Sequence, residues 1–188
     1  MRSDDLLALP LDLPVPVDDD AADHLTGARL PALSLPATNG AAVDLSALRG
    51  RVVVFAYPRT GRPDREPLVP DWNLIPGARG CTPQTCGFRD LAADFAAMGC
   101  RVFGLSTQTT EDQREMVERL HVPFPVLSDR EVALATALRL PTFTVAGLTL
   151  LRRLTWVARD GAIEKTFYPV FPPDRNASEV LGWLGAQQ

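Results

Sequence analysis

Two short stretches of this chain are apolar almost from end to end, residues 51–57 (RVVVFAY) and 101–106 (RVFGLS). Their β-branched and aromatic residues run without polar alternation, the pattern of strands buried on both faces. Between them the period changes to that of a helix. Phe88, Leu91, Ala92 and Phe95 fall at i, i+3, i+4 and i+7, one apolar stripe on a segment spanning residues 82–98. Pro83 lies in the first turn, where its missing N–H is tolerated, and Gly99 stops the helix. A strand, a crossing helix and a second strand predict parallel neighbours.

Further along, helices are expected over 110–120 and 129–138, each behind a candidate capping box, Thr110 with Gln113 and Ser128 with Glu131. Strands over 153–158 and 163–167 flank Asp160-Gly161, a dipeptide that favours a two-residue hairpin turn. A last helix over 177–184 presents Val180, Leu181 and Leu184. The sum is an α/β fold, a central mixed β-sheet flanked by helices.

Two segments fall outside this pattern. Residues 1–26 are rich in Pro and Asp, with Asp18, Asp19 and Asp20 in a row, and are expected as an extension draped on a domain of residues 27–188, or loose from it. Residues 59–79 form an insertion with four prolines and no period, leading directly into Gly80-Cys81. A loop of that length in a compact domain is functional or disordered.

Composition narrows the classes. A chain of 188 residues with 46% hydrophobic content can bury one substantial core. Its net charge of −4, from 23 acidic and 19 basic residues spread along the sequence, leaves no basic footprint for nucleic acid. No apolar run approaches a membrane span of roughly 18–20 residues or a signal-peptide core, so a cytoplasmic protein is expected. Three cysteines in that compartment do not suggest a disulfide framework. No self-complementary patch stands out, so a monomer is the expectation and a dimer the alternative.

Cys81 stands where a loop after a buried strand meets the start of a helix. Unpaired backbone N–H groups and the positive end of the helix dipole favour an anion there, and a thiolate is such an anion. The plain alternative is a small buried hydrophobe. Cys86 follows five residues later, about 8.5 Å away by Cα in an intact helix. A disulfide reaches roughly 7 Å. The pair can join only if the first turns unwind, and Gly87 makes that stretch cheaper to melt by up to about 1 kcal/mol relative to Ala. Zinc would need about four ligands, and His24 and His121 have no metal-like spacing to the cysteines. Cys100 has no helix start and no suitably spaced partner, which favours packing; Trp72, Trp156 and Trp183 read as core or loop anchors.

Residues 80–90 (GCTPQTCGFRD), preceded by the strand and Tyr57-Pro58, resemble the active-site segment of the bacterioferritin-comigratory or Q-type peroxiredoxins. So do Leu45-Ser46-x-Leu48-Arg49-Gly50, Gly104-x-Ser106 and Phe124-Pro125-x-Leu127-Ser128-Asp129, so that the similarity covers 27 to about 184. The resemblance implies a thioredoxin-like fold and reduction of hydrogen peroxide or organic hydroperoxides, with thioredoxin or a similar dithiol as reductant. It implies Cys81 as the peroxidatic cysteine, oxidised to a sulfenic acid, and Cys86 as the resolving cysteine that condenses with it. Neither metal nor organic cofactor is called for.

One position departs from the family pattern of Pro, three residues, Thr or Ser, two residues, Cys. Three residues before Cys81 stands Ala78. The insertion separates the usual Pro and hydroxyl from the cysteine, leaving Pro58 as the proline and Thr60 as the hydroxyl, with Thr82 as a substitute and an ordinary loop residue as the plain alternative. Arg152-Arg153-Leu154-Thr155-Trp156 resembles the family's Arg-x-Thr-Phe segment when Arg153 is the arginine that faces the thiolate. Strand alternation puts Arg153 and Thr155 on one face. Residues 168–173 are expected to cover the site or simply to connect. Two rival functions stay open: a thiol-disulfide exchanger acting on proteins, and a non-enzymatic redox sensor.

Overall fold

A computed structural model describes residues 6–187. Its centre is a five-stranded mixed sheet in which Val126–Ser128, Cys100–Ser106, Arg51–Ala56, Leu154–Arg159 and Ala162–Phe167 lie side by side in that order. A short antiparallel pair, β1 (Ser34–Pro36) and β2 (Ala42–Asp44), precedes the central strand β3 (Arg51–Ala56). Then come helices α1 (Cys81–Asp90) and α2 (Ala92–Ala97), strand β4 (Cys100–Ser106), helix α3 (Thr110–Leu120), strand β5 (Val126–Ser128) and helix α4 (Ala133–Leu138). A separate hairpin of β6 (Thr142–Val145) and β7 (Leu148–Leu151) follows, then the hairpin β8 (Leu154–Arg159) and β9 (Ala162–Phe167), and finally α5 (Asn176–Gly185).

The apolar run of β3 is explained by what lies on each face. Val52, Val54 and Ala56 point into one core with Leu105, Leu127, Trp156, Leu134 and Leu25. Val53, Phe55 and Tyr57 point into the other with Phe88, Phe95, Met116, Val157 and Val180. Both faces are covered by helices, so neither set of positions can be polar. β3 pairs parallel with β4, as the crossing helices between them require, and antiparallel with β8. At Asp160-Gly161 both φ angles are positive, 49° and 79°, the tight hairpin turn that the dipeptide favours.

Several local expectations need correction. The single helix over 82–98 is two, α1 and α2, parted at Leu91, whose φ of −98° and ψ of 10° leave the helical region and whose N–H is shared between the Gly87 and Arg89 carbonyls. The stripe survives because Phe88 and Phe95 stack on each other at 5.6 Å. The cap of α3 is Thr109, accepting from the Asp112 N–H at 3.1 Å, not Thr110. Gln113 is turned inward instead, donating to Ser106 Oγ and the Leu127 carbonyl. Helix α4 starts four residues late, at Ala133, because the Asp129 carboxylate caps it through Leu134 and Ala135 N–H, while Ser128 Oγ donates to the Gln108 carbonyl.

The two outlying segments are attached. Core residues begin before Gly27, since Ala22 and Leu25 are buried. Upstream, Pro16 lies beside Gly77 and Leu9 beside Gly80, and Tyr168 Oη donates to Asp19 at 2.6 Å, a bond that draws the Asp19 carboxyl below its usual range. Within the insertion, Trp72 and Ala78 bury against Leu150 of β7, with Leu68, Val69 and Ile75 around them. That small cluster gives the loop a fixed end next to Cys81. No helix among the described residues is long and apolar enough to cross a membrane.

Candidate active site

Cys81 is the first residue of α1, 3% exposed, and its cap is Gly80 at a φ of 102°. Only glycine fits there: a Cβ would stand 2.4 Å from Pro173 Cγ and 2.9 Å from Leu9 Cδ2. Ordering of the turn therefore depends on three segments meeting, the extension, the insertion and the chain before α5. The other end of α1 is fixed by Phe88, stacked flat on Phe55 of β3 with ring centres 4.3 Å apart.

Arg153, immediately before β8, reaches Cys81. Its Nη2 donates to Cys81 Sγ at 3.1 Å and to the carbonyls of Gly77, Ala78 and Arg79 at 3.1–3.2 Å. Nη1 donates to Gln84 Oε1. Arg153 is 3% exposed and joins none of the ion pairs of the described residues. A buried guanidinium without a carboxylate is costly unless another negative or strongly polar group faces it. Here three backbone carbonyls, the Gln84 amide oxygen and one sulfur do.

The remaining expected residues are placed as follows. Pro58 is buried just after β3. Thr60 is buried too, but its hydroxyl donates to Gln108 Oε1 at 3.0 Å and its N–H to the same oxygen at 2.8 Å; no hydrogen bond joins it to Cys81. With its hydrogen engaged, Thr60 Oγ1 has only lone pairs to offer a ligand. Thr82 is buried in the first turn of α1. Tyr57 is fully buried, and burial, reinforced by charge at Cys81, pushes its phenol well above the usual range, so it stays neutral.

Cys86 lies in the same helix, and both it and Cys81 are free thiols. The helix runs intact through both, so the separation that forbids a direct bond holds in this form. Burial raises the Cys86 thiol above its usual range, Asp90 adds to this, and Arg89 and Arg119 oppose it. Cys100 opens β4 with its thiol on the Met98 carbonyl at 3.7 Å, and burial raises it likewise. No cluster of three or more His, Cys, Asp or Glu among the described residues could hold a metal.

Two site residues escape sequence reasoning, Gln84 and Asn176. Gln84 is fully buried, donating from Nε2 to Asn176 Oδ1 at 2.9 Å, and Asn176 Oδ1 also accepts from Thr155 Oγ1 at 2.7 Å. A signal existed for Gln84. It stands four residues before Phe88 on the apolar stripe, and a polar residue in a buried position implies partners. Nothing comparable marks Asn176.

The chain is similar to known proteins in sequence and in fold. The redoxin family model matches residues 25–181. "Peroxiredoxin Q, chloroplastic" of Oryza sativa subsp. japonica is 29% identical over 157 residues, 82% of this chain and 64% of the relative. "Peroxiredoxin bcp1" of Schizosaccharomyces pombe is 32% identical over 127 residues, 65% of this chain and 56% of the relative. The match thus spans less than two thirds of these relatives' own length. Among solved structures, that of peroxidoxin BcpB from Mycobacterium tuberculosis superposes with a TM-score of 0.69 at 28% identity, covering 87% of this chain and 97% of that one.

Proposed function

Since the chain belongs to the redoxin family, on its Q-type peroxiredoxin branch and with a thioredoxin-like fold, we propose that it is a thiol peroxidase whose reacting atom is Cys81 Sγ. The observation that carries this reading is the pairing of a buried, carboxylate-free Arg153 with that sulfur at 3.1 Å. A guanidinium so placed donates to the sulfur and offers a donor to the oxygens of a bound peroxide. The thiolate attacks one peroxide oxygen, the O–O bond breaks, and the departing oxygen leaves as water or an alcohol once protonated. Sulfur is oxidised to a sulfenic acid and the peroxide is reduced. Attack by Cys86 then forms the disulfide and releases water, and a dithiol such as thioredoxin returns both thiols.

Within this reading Pro58 shapes the pocket wall and Thr60 Oγ1 accepts from the incoming peroxide. Residues 27–188 are the body of the catalytic domain, and the extension before them contributes Ala22 and Leu25 to its core. The setting is cytoplasmic and the protein a monomer. Intact-mass measurement after one equivalent of peroxide tests the chemistry: the wild type loses two hydrogens, and Cys86→Ser gains oxygen instead. A two-hydrogen loss that survives Cys86→Ser within the monomer and vanishes in Cys100→Ser overturns the assignment of the resolving thiol. A protein thiol-disulfide exchanger, the rival reading, reacts with peroxide no faster than free cysteine.

A further inference from the structure

One face of α1, from its cap at Gly80 to Gly87, is pressed against residues 173–177. Gly80, Gln84 and Gly87 stand at i, i+4 and i+7 on that face. A Cβ at Gly80 would overlap Pro173, one at Gly87 would touch the Asp174 carbonyl and Ala177 Cβ at 3.4–3.5 Å, and Gln84 between them bonds Asn176. The two glycines allow close approach. The glutamine supplies the hydrogen bond that specifies it.

That bond is the outer end of a buried relay. Asn176 Oδ1 accepts from Gln84 Nε2, Gln84 Oε1 accepts from Arg153 Nη1, and Arg153 Nη2 donates to Cys81 Sγ. Gln84, Thr155 and Asn176 are fully buried and Arg153 nearly so, so water does not substitute for any link while the fold is closed. Gln84 also lies in the stretch between the two cysteines. A disulfide there needs the Cα atoms of Cys81 and Cys86 to come from about 8.5 Å to within roughly 7 Å, which rearranges the backbone carrying Gln84.

We propose that Asn176 is a positioning residue that acts on both half-reactions through its single bond to Gln84. In the wound helix it keeps Gln84, and through it Arg153, aligned for attack on peroxide. It also latches the first turns of α1 closed, and so slows the approach of Cys86. The latch rests on the peroxidase reading above and extends it to the balance between resolution and overoxidation of Cys81.

Rapid-quench measurement of the two steps tests it. In Asn176→Ala the peroxide step slows about three- to tenfold, while disulfide formation speeds up by a similar factor, the size expected for loss of one buried neutral hydrogen bond. The peroxide concentration that converts half of Cys81 to sulfinic acid rises correspondingly. Thr155→Val removes the other donor to the same oxygen without releasing Gln84, so it lowers stability and leaves disulfide formation within about twofold of wild type. A merely structural Asn176 would move the denaturation midpoint and neither rate in opposite senses. Should Asn176→Ala fail to fold, side-chain amide exchange in the wild type reads the same latch: Gln84 is protected in the reduced protein and exchanges freely in the oxidised one. Persistent protection of that amide after oxidation, or unchanged rates in a folded Asn176→Ala, overturns the latch alone. A wild-type chain that neither consumes peroxide nor forms the disulfide overturns the peroxidase reading and the latch with it.

Discussion

Replacing Arg153 with Met keeps most of the buried stem and removes the guanidinium. Five contacts disappear: those to Cys81 Sγ, to the carbonyls of Gly77, Ala78 and Arg79, and to Gln84 Oε1. For stability the effects oppose one another. Each acceptor left dry costs about 1–3 kcal/mol, but a cation no longer has to be held in the interior, and that relief is worth several kcal/mol. The relief offsets only part of the loss of five contacts, so the variant should be destabilised yet still fold. For the reaction nothing compensates. A preorganised donor at the atom where charge develops contributes about 10²- to 10³-fold, roughly 2.7–4 kcal/mol of barrier. The rate constant for loss of the Cys81 thiol on mixing with peroxide should therefore fall at least a hundredfold while urea denaturation remains cooperative. Arg153→Lys restores the charge without the planar fork, and about a tenfold recovery is expected. A folded Arg153→Met that reduces peroxide within about threefold of wild type refutes the role assigned to this residue.

Two further outcomes follow from the same geometry. Burial holds the Cys86 proton above the usual thiol range only while α1 is wound; that contribution to the wound form is full below the unwound thiol's ordinary value of about 8.5 and is lost as pH rises through the raised one. Disulfide formation, measured by quenching after a peroxide pulse, should therefore quicken from pH 7 to 9, and a flat or falling profile would refute the coupling. Thr60→Val should slow the peroxide step about ten- to a thousandfold with little loss of stability; unchanged kinetics would leave Thr60 as a loop anchor bonded to Gln108.

What the sequence showed of the fold is what local period can carry. The doubly buried strands β3 and β4, their parallel pairing, the Asp160-Gly161 turn and the helix beginning at Cys81 all announce themselves within a few residues. The cap of α3 was placed one residue late, at Thr110, because adjacent threonines look alike locally and tertiary demand turns Gln113 into the interior. The β6–β7 hairpin turns on Ala146-Gly147, with φ of 50° and 75°, a turn conformation in which alanine is a poor indicator. Of the site, Cys81 and Arg153 could be singled out from the sequence, and Arg153 Nη2 stands 3.1 Å from Cys81 Sγ. Asn176 could not be singled out, because its partner Gln84 lies 92 residues away and nothing near Asn176 marks it as buried.

The attachments of α1 differ on the two sides of Cys86, and the difference bears on how the same helix can both hold a thiol and release it. Beyond Cys86 the anchor is apolar, Phe88 flat on Phe55 and stacked in turn on Phe95. Before Cys86 the polar attachments are hydrogen bonds, those of Gln84 with Asn176 and Arg153 and that of Cys81 Sγ with Arg153. Apolar burial has no substitute in water, and withdrawing Phe88 would cost about 1.5–3 kcal/mol in transfer alone. Hydrogen bonds exchange for bonds to water when a turn opens, so their net loss is near 1 kcal/mol each. Unwinding should accordingly run from Cys81 through Cys86 and stop at Phe88, leaving the sheet and its second core packed while the two sulfurs meet.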